Sequence, residues 1–281
     1  MTHVADLLAL SKELLHERYG AEFEFELGVP WNNSLITLLR HRSVRAYLNK
    51  PLPQGTLETL VAAAQSASTS SNLQTWSVIA VEDPERKARL AQLAGGQAHI
   101  HQAPLFLVWL ADLARLGRIA EQRRLPHSGL NYLEMFLMAA VDASLAAQNA
   151  VIAAESLGLG TVYIGAMRNQ PEAVAAELGL PKQVFAVFGL CVGYPDLSHP
   201  IAVKPRLAQE AVLHRETYGL EKQDNVVEDY NRIMSEFYQD QKMNVAGDWS
   251  QHSIDRVANA ESLRSRVNLK EILHRLGFEL R

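Results

Sequence analysis

Apolar residues recur along most of this chain at helical spacing, broken by four short runs of a different texture. Over 3–19 the apolar positions are interrupted every few residues by Asp6, Lys12, Glu13, Glu17 and Arg18, which predicts an amphipathic helix. "AEFEFELGVPWNN" follows and reads as a strand or loop. Asn32 or Asn33 suits the cap of a helix from Ser34 to about His41. Further helices are predicted over 54–67, from Asp83 as cap to a stop at Gly95, and over 113–123, 131–157 (ended by Gly158), 171–179, 224–240 and 266–276. The four other runs, 76–83, 104–112, 161–164 and 184–193, are rich in Val, Ile, Leu and Phe and predict strands. The last of them is apolar enough to be buried on both faces. Strands and helices are interspersed, and helix dominates, so a sheet with helices on both faces is the natural architecture.

Composition narrows the function classes. The 281 residues are 48% apolar and 21% charged, an ordinary globular balance without repeats or low-complexity segments. With 27 basic against 31 acidic residues the formal charge is -4, which argues against nucleic acid as the main partner. The lone cysteine, Cys191, lies in the apolar run "FAVFGLCVGYP" and is expected as a buried thiol, in keeping with a reducing cytoplasm. The N-terminal stretch lacks the basic start and unbroken apolar segment of a signal peptide. Residues 135–157 come nearest to a membrane span, but Asp142, Gln148, Asn149 and Glu155 are costly in lipid. A core or subunit-interface helix, and no membrane partner, is the expectation.

Four polar islands carry candidate chemistry, and each has two readings. In "RHRSVRAY" (40–47), Arg42 and Arg45 flank Ser43. Forked guanidiniums beside a hydroxyl suit a phosphate or a carbonyl-edged ring; alternatively, cations at a helix end complement its dipole. "SASTSSNLQTWS" (66–77) offers hydroxyls to a phosphate or sugar, or is an ordinary turn. In "LGLGTVYIGAMRN" (157–169) the glycines fit neither the dinucleotide nor the Walker spacing. Gly165, directly after a strand, permits close approach of a flat ligand, or simply turns the chain. "KPR" (204–206) sets two cations around a rigid proline, or is a solvated loop. No H-E-x-x-H, C-x-x-C or G-x-S-x-G is present, and the one close histidine pair, "HIH" (99–101), is expected on a helix surface. Anion- and ring-binding loops without hydrolytic machinery suggest an enzyme that borrows its chemistry from a cofactor.

In order along the chain, "HRSVRAY" (41–47), "ASTSSNLQ" (67–74), "LAGGQAHI" (93–100), "AAQNAVIAAESLGLGTVYIGAMRN" (146–169), "FGLCVGYP" (188–195) and "KPRL" (204–207) resemble the nitroreductase family of flavoproteins. Within it, they are most similar to the oxygen-insensitive nitroreductase and NADPH–flavin oxidoreductase group. The resemblance covers 34–218 well and the tail loosely, and leaves 1–31 outside. It implies an α+β, nitroreductase-like fold with a central, mostly antiparallel sheet flanked by helices. Residues 32–281 would form one FMN-binding domain behind an N-terminal appendage (1–31), with a mostly helical tail (219–281) wrapping an intertwined homodimer.

The resemblance also implies non-covalent FMN at the dimer interface, reduced by NADPH or NADH. His41, Arg42, Ser43 and Arg45 then contact its phosphate, ribityl chain or pyrimidine edge, with Arg42 tuning the flavin. Thr69, Ser70 and Ser71 match a hydroxyl-rich loop presented across the dimer interface, and Gln97 a glutamine near the flavin. Tyr163, Ile164, Gly165 and Ala166 match the loop against the isoalloxazine near N5, and Lys204 and Arg206 the phosphate clamp. The implied activity is an FMN-dependent NAD(P)H oxidoreductase reducing nitroaromatics, quinones or free flavins by ping-pong hydride transfer, with no metal. The alternatives are a non-turnover flavin-binding or redox-sensing protein and a reductive dehalogenase-like member. Two departures stand out. Where the group carries a basic pair for the 2′-phosphate of NADPH, this chain has "MNVAGDWS" (243–250), in which Asp248 would repel a phosphate. Ala166 replaces a common glycine.

Overall fold

A computed structural model describes residues 2–21, 28–199 and 201–281, with the backbone alone for 2–6. Most of the stretch expected as strand or loop after the first helix, 22–27, lies outside the described residues. The helices are α1 (Thr2–Tyr19), α2 (Asn33–Leu39), α3 (Thr56–Gln65), α4 (Pro84–Leu93), α5 (Ala98–Gln102), α6 (Ala114–Arg123), α7 (Leu133–Ser156), α8 (Pro171–Glu177), α9 (Asp224–Asp240), α10 (Trp249–Asp255), α11 (Ala260–Leu263) and α12 (Leu269–Arg275). The chain divides into two compact units, Met1–Arg42 with Pro200–Leu263 and Ser43–His199 with Arg264–Arg281. The division falls inside the cationic stretch, between Arg42 and Ser43.

In the first unit, α1 buries Ser11, Leu14, Leu15 and Arg18, the i, i+3, i+4, i+7 stripe of an amphipathic helix. Gly20 ends the helix at φ +97°, a conformation open to glycine, with its N–H donating to the His16 carbonyl at 2.8 Å. A Cβ there would come within 3.0 Å of Ile233 on α9. The α2 helix starts where Asn32 accepts from the N–H groups of Ser34 and Leu35, at 3.0 and 3.1 Å. Tyr230, Met234 and Tyr238 of α9 pack with Leu207, Val245 and Trp249.

The second unit is built on a sheet of β1 (Trp76–Val81), β2 (Leu105–Asp112), β3 (Gly160–Ile164) and β4 (Val184–Gly193). Its order is β1-β2-β4-β3, and every neighbouring pair is antiparallel. All of β2 is buried, as an unbroken apolar strand covered on both faces requires. On one face α3 and α7 close over Leu105, Leu107, Trp109, Leu190 and Val192. The stripe that α7 turns inward is mostly alanine, from Ala139 to Ala154, which lets the helix lie close to the sheet. Phe136 meets Phe185 and Phe278 edge-on at 5.7 and 5.2 Å, which seats the C-terminal segment with Leu273.

Two local irregularities position the loops that matter below. Trp109 pairs with Phe188 but Leu110 with Ala186, so Val187 is an extra residue in β4, a bulge. Its carbonyl, free of the ladder, accepts from Arg168 Nη1 at 2.5 Å. At the start of β3, a Cβ on Gly160 would stand 2.5 Å from Val44 Cγ2, so only glycine lets Val44 press there. The Val44 N–H donates to the Thr161 carbonyl at 2.8 Å, and Ser43 bridges Thr161 in parallel.

Candidate functional site

The first unit brings together four of the expected site residues. His41 and Arg42 leave the end of α2, and Lys204 and Arg206 sit on a later loop. The two segments meet on one side chain. Arg18 Nη1 donates to the Lys204 carbonyl (2.8 Å), and Nη2 to those of Leu39 (2.8 Å) and His41 (3.1 Å). The Arg206 N–H donates back to the Arg18 carbonyl at 2.7 Å. The buried Tyr230 hydroxyl fixes the proline between the cations, donating to the Pro205 carbonyl at 2.9 Å. The side chains of Arg42 and Arg206 hydrogen-bond only to backbone carbonyls of their own segments and have no carboxylate partner among the described residues.

In the second unit, the clamp of Val44 on β3 sets Ser43 and Arg45, both exposed, beside that strand. Arg45 has no side-chain hydrogen bond or ion pair among the described residues. At the other end of β3, Tyr163 is held by the Phe188 ring, edge-on at 5.1 Å, and donates to Gln148 Oε1 at 3.3 Å. Burial, with the charge of Glu155, pushes its phenol pKa up. Ile164 and Ala166 are buried, so the turn that follows presents mainly backbone. The Ala166 methyl, in place of glycine, is therefore largely covered by protein. Gly165 lies against the Arg168 guanidinium, where a Cβ would find Nη2 at an ordinary 3.4 Å. Packing does not require a glycine here, whereas a flat ligand laid on the turn does.

Gln97 opens α5, and its amide Nε2 donates to the Ala94 carbonyl at 3.0 Å, leaving Oε1 as an acceptor. Two residues on, His99 departs from expectation. Its Nε2 is buried without a hydrogen-bond partner among the described residues, so the histidine pair is not simply a helix surface. Burial first, then the charge of Arg45, lowers its pKa, so the ring is neutral at neutral pH.

The hydroxyl-rich loop is organised by Asp142, a buried residue of α7. Its Oδ2 accepts from Thr69 Oγ1 (2.5 Å), Thr75 N (3.2 Å) and Thr75 Oγ1 (3.1 Å), and its Oδ1 from Ser70 N (3.1 Å). The Thr69 hydroxyl is thus engaged inside the chain, while Ser70 and Ser71 are exposed. Ser71 holds φ at 49°, in the left-handed region, which over-determined loops sustain. In the tail, Asp248 caps α10 by accepting from Gln251 N at 2.8 Å. Arg232 pairs with Asp229 and Glu236 of its own helix, at 4.0 and 3.7 Å.

The guanidiniums of the first unit, without carboxylate partners, suit a phosphate such as that of FMN. The second unit, taken by itself, offers exposed hydroxyls, an orphaned imidazole nitrogen and a turn that presents mainly backbone, which suit a ring-bearing ligand. A cavity of about 1030 Å³ lies elsewhere in the second unit, lined by Asp112, Arg115 and His127 among others, and none of the expected site residues lines it. Residues that sequence reasoning passed over are Arg18, His99 and Arg168, and Asp142 as an organiser of the loop.

Comparison with known proteins bears on the same segments. The model of the nitroreductase family matches residues 38–194, and that of the family's C-terminal domain matches 204–281. The FMN reductase (NADPH) of Bacillus subtilis (strain 168) is 39% identical over 252 residues, covering 88% of this chain and 98% of the relative. The oxygen-insensitive NADPH nitroreductase of Salmonella typhimurium is 39% identical over 245 residues, covering 87% and 97%. The solved structure of the NADPH:FMN oxidoreductase from Vibrio harveyi, complexed with NAD+, matches with a TM-score of 0.76 at 35% identity, covering 89% of this chain and 100% of that one.

Proposed function

Because the chain belongs to the nitroreductase family, we propose that it is an FMN-dependent NAD(P)H oxidoreductase acting on flat acceptors such as nitroaromatics, quinones or free flavins. The observation that carries this reading is the set of cations held in one backbone frame in the first unit, with Arg42 and Arg206 free of carboxylates. A phosphate monoester at such a place gains charge-assisted hydrogen bonds without breaking an ion pair first.

FMN, when bound, takes hydride from a nicotinamide and passes the reducing equivalents to a second flat molecule. The chain's own residues bind and orient it. We assign His41, Arg42, Lys204 and Arg206, with Ser43 and Arg45, to the phosphate, ribityl chain and pyrimidine edge. Arg42 at that edge would favour the electron-rich state of the ring through its fixed positive charge. Gln97 Oε1 and the backbone of Tyr163 to Ala166 would hold the ring, with nicotinamide and acceptor using one site in turn. That arrangement predicts ping-pong kinetics.

A second copy of the chain completes this reading. On α7, Leu133, Leu137, Val141 and Leu145 form an i, i+4 apolar stripe, each 45–56% exposed, opposite the buried alanine face. A stripe of that size on a helix otherwise packed into the core marks an interface. We assign it to a homodimer in which Ser70 and Ser71 are presented to the partner's cofactor.

The direct test mixes FMN-loaded protein with NADH and with NADPH under anaerobic stopped flow. Bleaching of the flavin bands by at least one nicotinamide, and recovery on adding a quinone, is expected. No bleaching by either would remove the reductase assignment.

A further inference from the structure

We propose that Arg18, at the end of the N-terminal helix, is a positioning residue for the cofactor phosphate, and that α1 is a brace this chain adds to the site. The inference rests on the FMN reading above and deepens it. The family model begins at residue 38, and the Bacillus subtilis and Salmonella typhimurium relatives are matched over 98% and 97% of their own lengths while about a tenth of this chain stays outside. The helix that carries Arg18 lies ahead of that first matched residue.

The placement of Arg18 is unusual for its type. It completes the inward stripe of α1 and is 7% exposed, where a charged group is costly unless its donors are satisfied. Here the fork reaches two segments far apart in sequence. Nη1 takes the carbonyl of Lys204, and Nη2 takes those of Leu39 and His41. The Arg18 carbonyl in turn holds the Arg206 N–H. Every one of these partners either carries an expected phosphate ligand or sits within three residues of one. Three peptide units are thereby turned so that their negative, carbonyl ends face Arg18.

Two consequences follow. The spacing between the His41–Arg42 pair and the Lys204–Arg206 pair is fixed by one rigid, planar group rather than by two independent loops. A phosphorylated ligand that must contact both pairs at once then finds them pre-organised, and loop-ordering entropy is not lost at the moment of binding. A lysine cannot replace this function, because a single ammonium lacks the planar fork that meets separated acceptors. Riboflavin, which lacks the phosphate, meets at most one of the two pairs and so makes no demand on the spacing between them. The brace is therefore specific to the phosphate.

The experiment titrates full-length, FMN-free protein with FMN and with riboflavin, which lacks the phosphate, following flavin fluorescence. Wild type, Arg18→Ala and Arg18→Lys are compared, with circular dichroism as the check on folding. Wild type is expected to prefer FMN. In both variants that preference is expected to fall about tenfold, the loss of one charge-assisted contact, while riboflavin affinity changes less than about twofold. Arg18→Lys keeps the charge and most of the packing and decides the matter should Arg18→Ala fail to fold. Parallel weakening of both ligands in a folded variant would assign Arg18 a merely structural role and overturn the proposal, as would an unchanged preference. A wild-type protein that binds FMN no better than riboflavin sinks the phosphate assignment itself, an outcome distinguishable from the other two.

Discussion

Removing the Asp142 carboxylate tests whether one buried group holds the hydroxyl-rich loop. Its two oxygens take four hydrogen bonds from Thr69, Ser70 and Thr75. In Asp142→Ala the four donors do not suffer equally. Ser70 is exposed and Thr69 half-buried, so water reaches them. Thr75 is 1% exposed, and its N–H and hydroxyl are left without a partner. At roughly 1–3 kcal/mol for each buried donor left unpaired, the loss is about 2–6 kcal/mol. Against a typical stability of about 5–15 kcal/mol, that is a large fraction. Asp142→Asn keeps one oxygen, which suits the three donors that converge on Oδ2, but turns its NH2 toward the Ser70 N–H. It is expected to lose roughly half as much. Thr75→Val removes one hydroxyl and keeps the backbone bond, and its effect should not add to that of Asp142→Ala, because the two share an interaction. The assay is guanidinium unfolding of FMN-free protein by circular dichroism, at one fixed protein concentration because dimerisation would contribute. The reasoning fails if Asp142→Ala lies within about 0.5 kcal/mol of wild type, the range of a neutral surface change.

Other expectations follow from the same geometry. Arg42→Ala should weaken FMN binding by about 1.5–3 kcal/mol, roughly 10- to 150-fold, and unchanged flavin occupancy after gel filtration would count against the assignment. Asp248→Asn preserves the α10 cap and removes a negative charge, so the ratio of kcat/KM for NADPH over NADH should rise up to about fivefold; a constant ratio would place that charge out of reach of the 2′-phosphate. Leu137→Glu or Val141→Glu should convert a dimer to monomers in sedimentation velocity, and wild type that sediments as a monomer would refute the pairing. For His99 the folded pKa lies below its ordinary 6.5, so unfolding takes up a proton once pH drops under that value. The stability of the neutral ring is therefore present above pH 6.5 and lost as pH falls through it toward the lowered pKa. Tm against pH, from about 7.5 to 5, should be flatter in His99→Gln, and superimposable curves would contradict the burial argument.

Where a segment's own residues decide its structure, the sequence was readable. The strand over 184–193 and the helix over 224–240 have the bounds that hydrophobic pattern predicts. Asp83 caps α4 as expected, accepting from Arg86 N at 2.7 Å. The failures are short or tertiary. Helix α5 spans Ala98–Gln102, too few residues for a period to show. In "MNVAGDWS" only the charge of Asp248 was legible, while its structural office is to start α10. The bulge at Val187 leaves no mark in an apolar run, because it depends on how β2 pairs with β4.

The candidate site divides along a similar line, and the reason is chemical. Residues proposed to touch the cofactor announce themselves, because binding an anion or a ring needs particular side chains, and these gather in short islands. Residues that position them act through backbone groups, which every residue possesses. The Lys204, His41 and Leu39 carbonyls that Arg18 holds have no residue-type signature, and the first lies 186 positions away. Only the other half of each such pair is legible. Arg18 completes the buried stripe of α1, and Asp142 interrupts the alanine face of α7. A charged residue at a core position must find partners inside the fold. Such positions mark that a segment is being held, and the fold alone supplies which segment. The variants that separate cofactor contact from cofactor positioning are therefore the polar interruptions of apolar helices, Arg18 and Asp142, and not the cation clusters themselves.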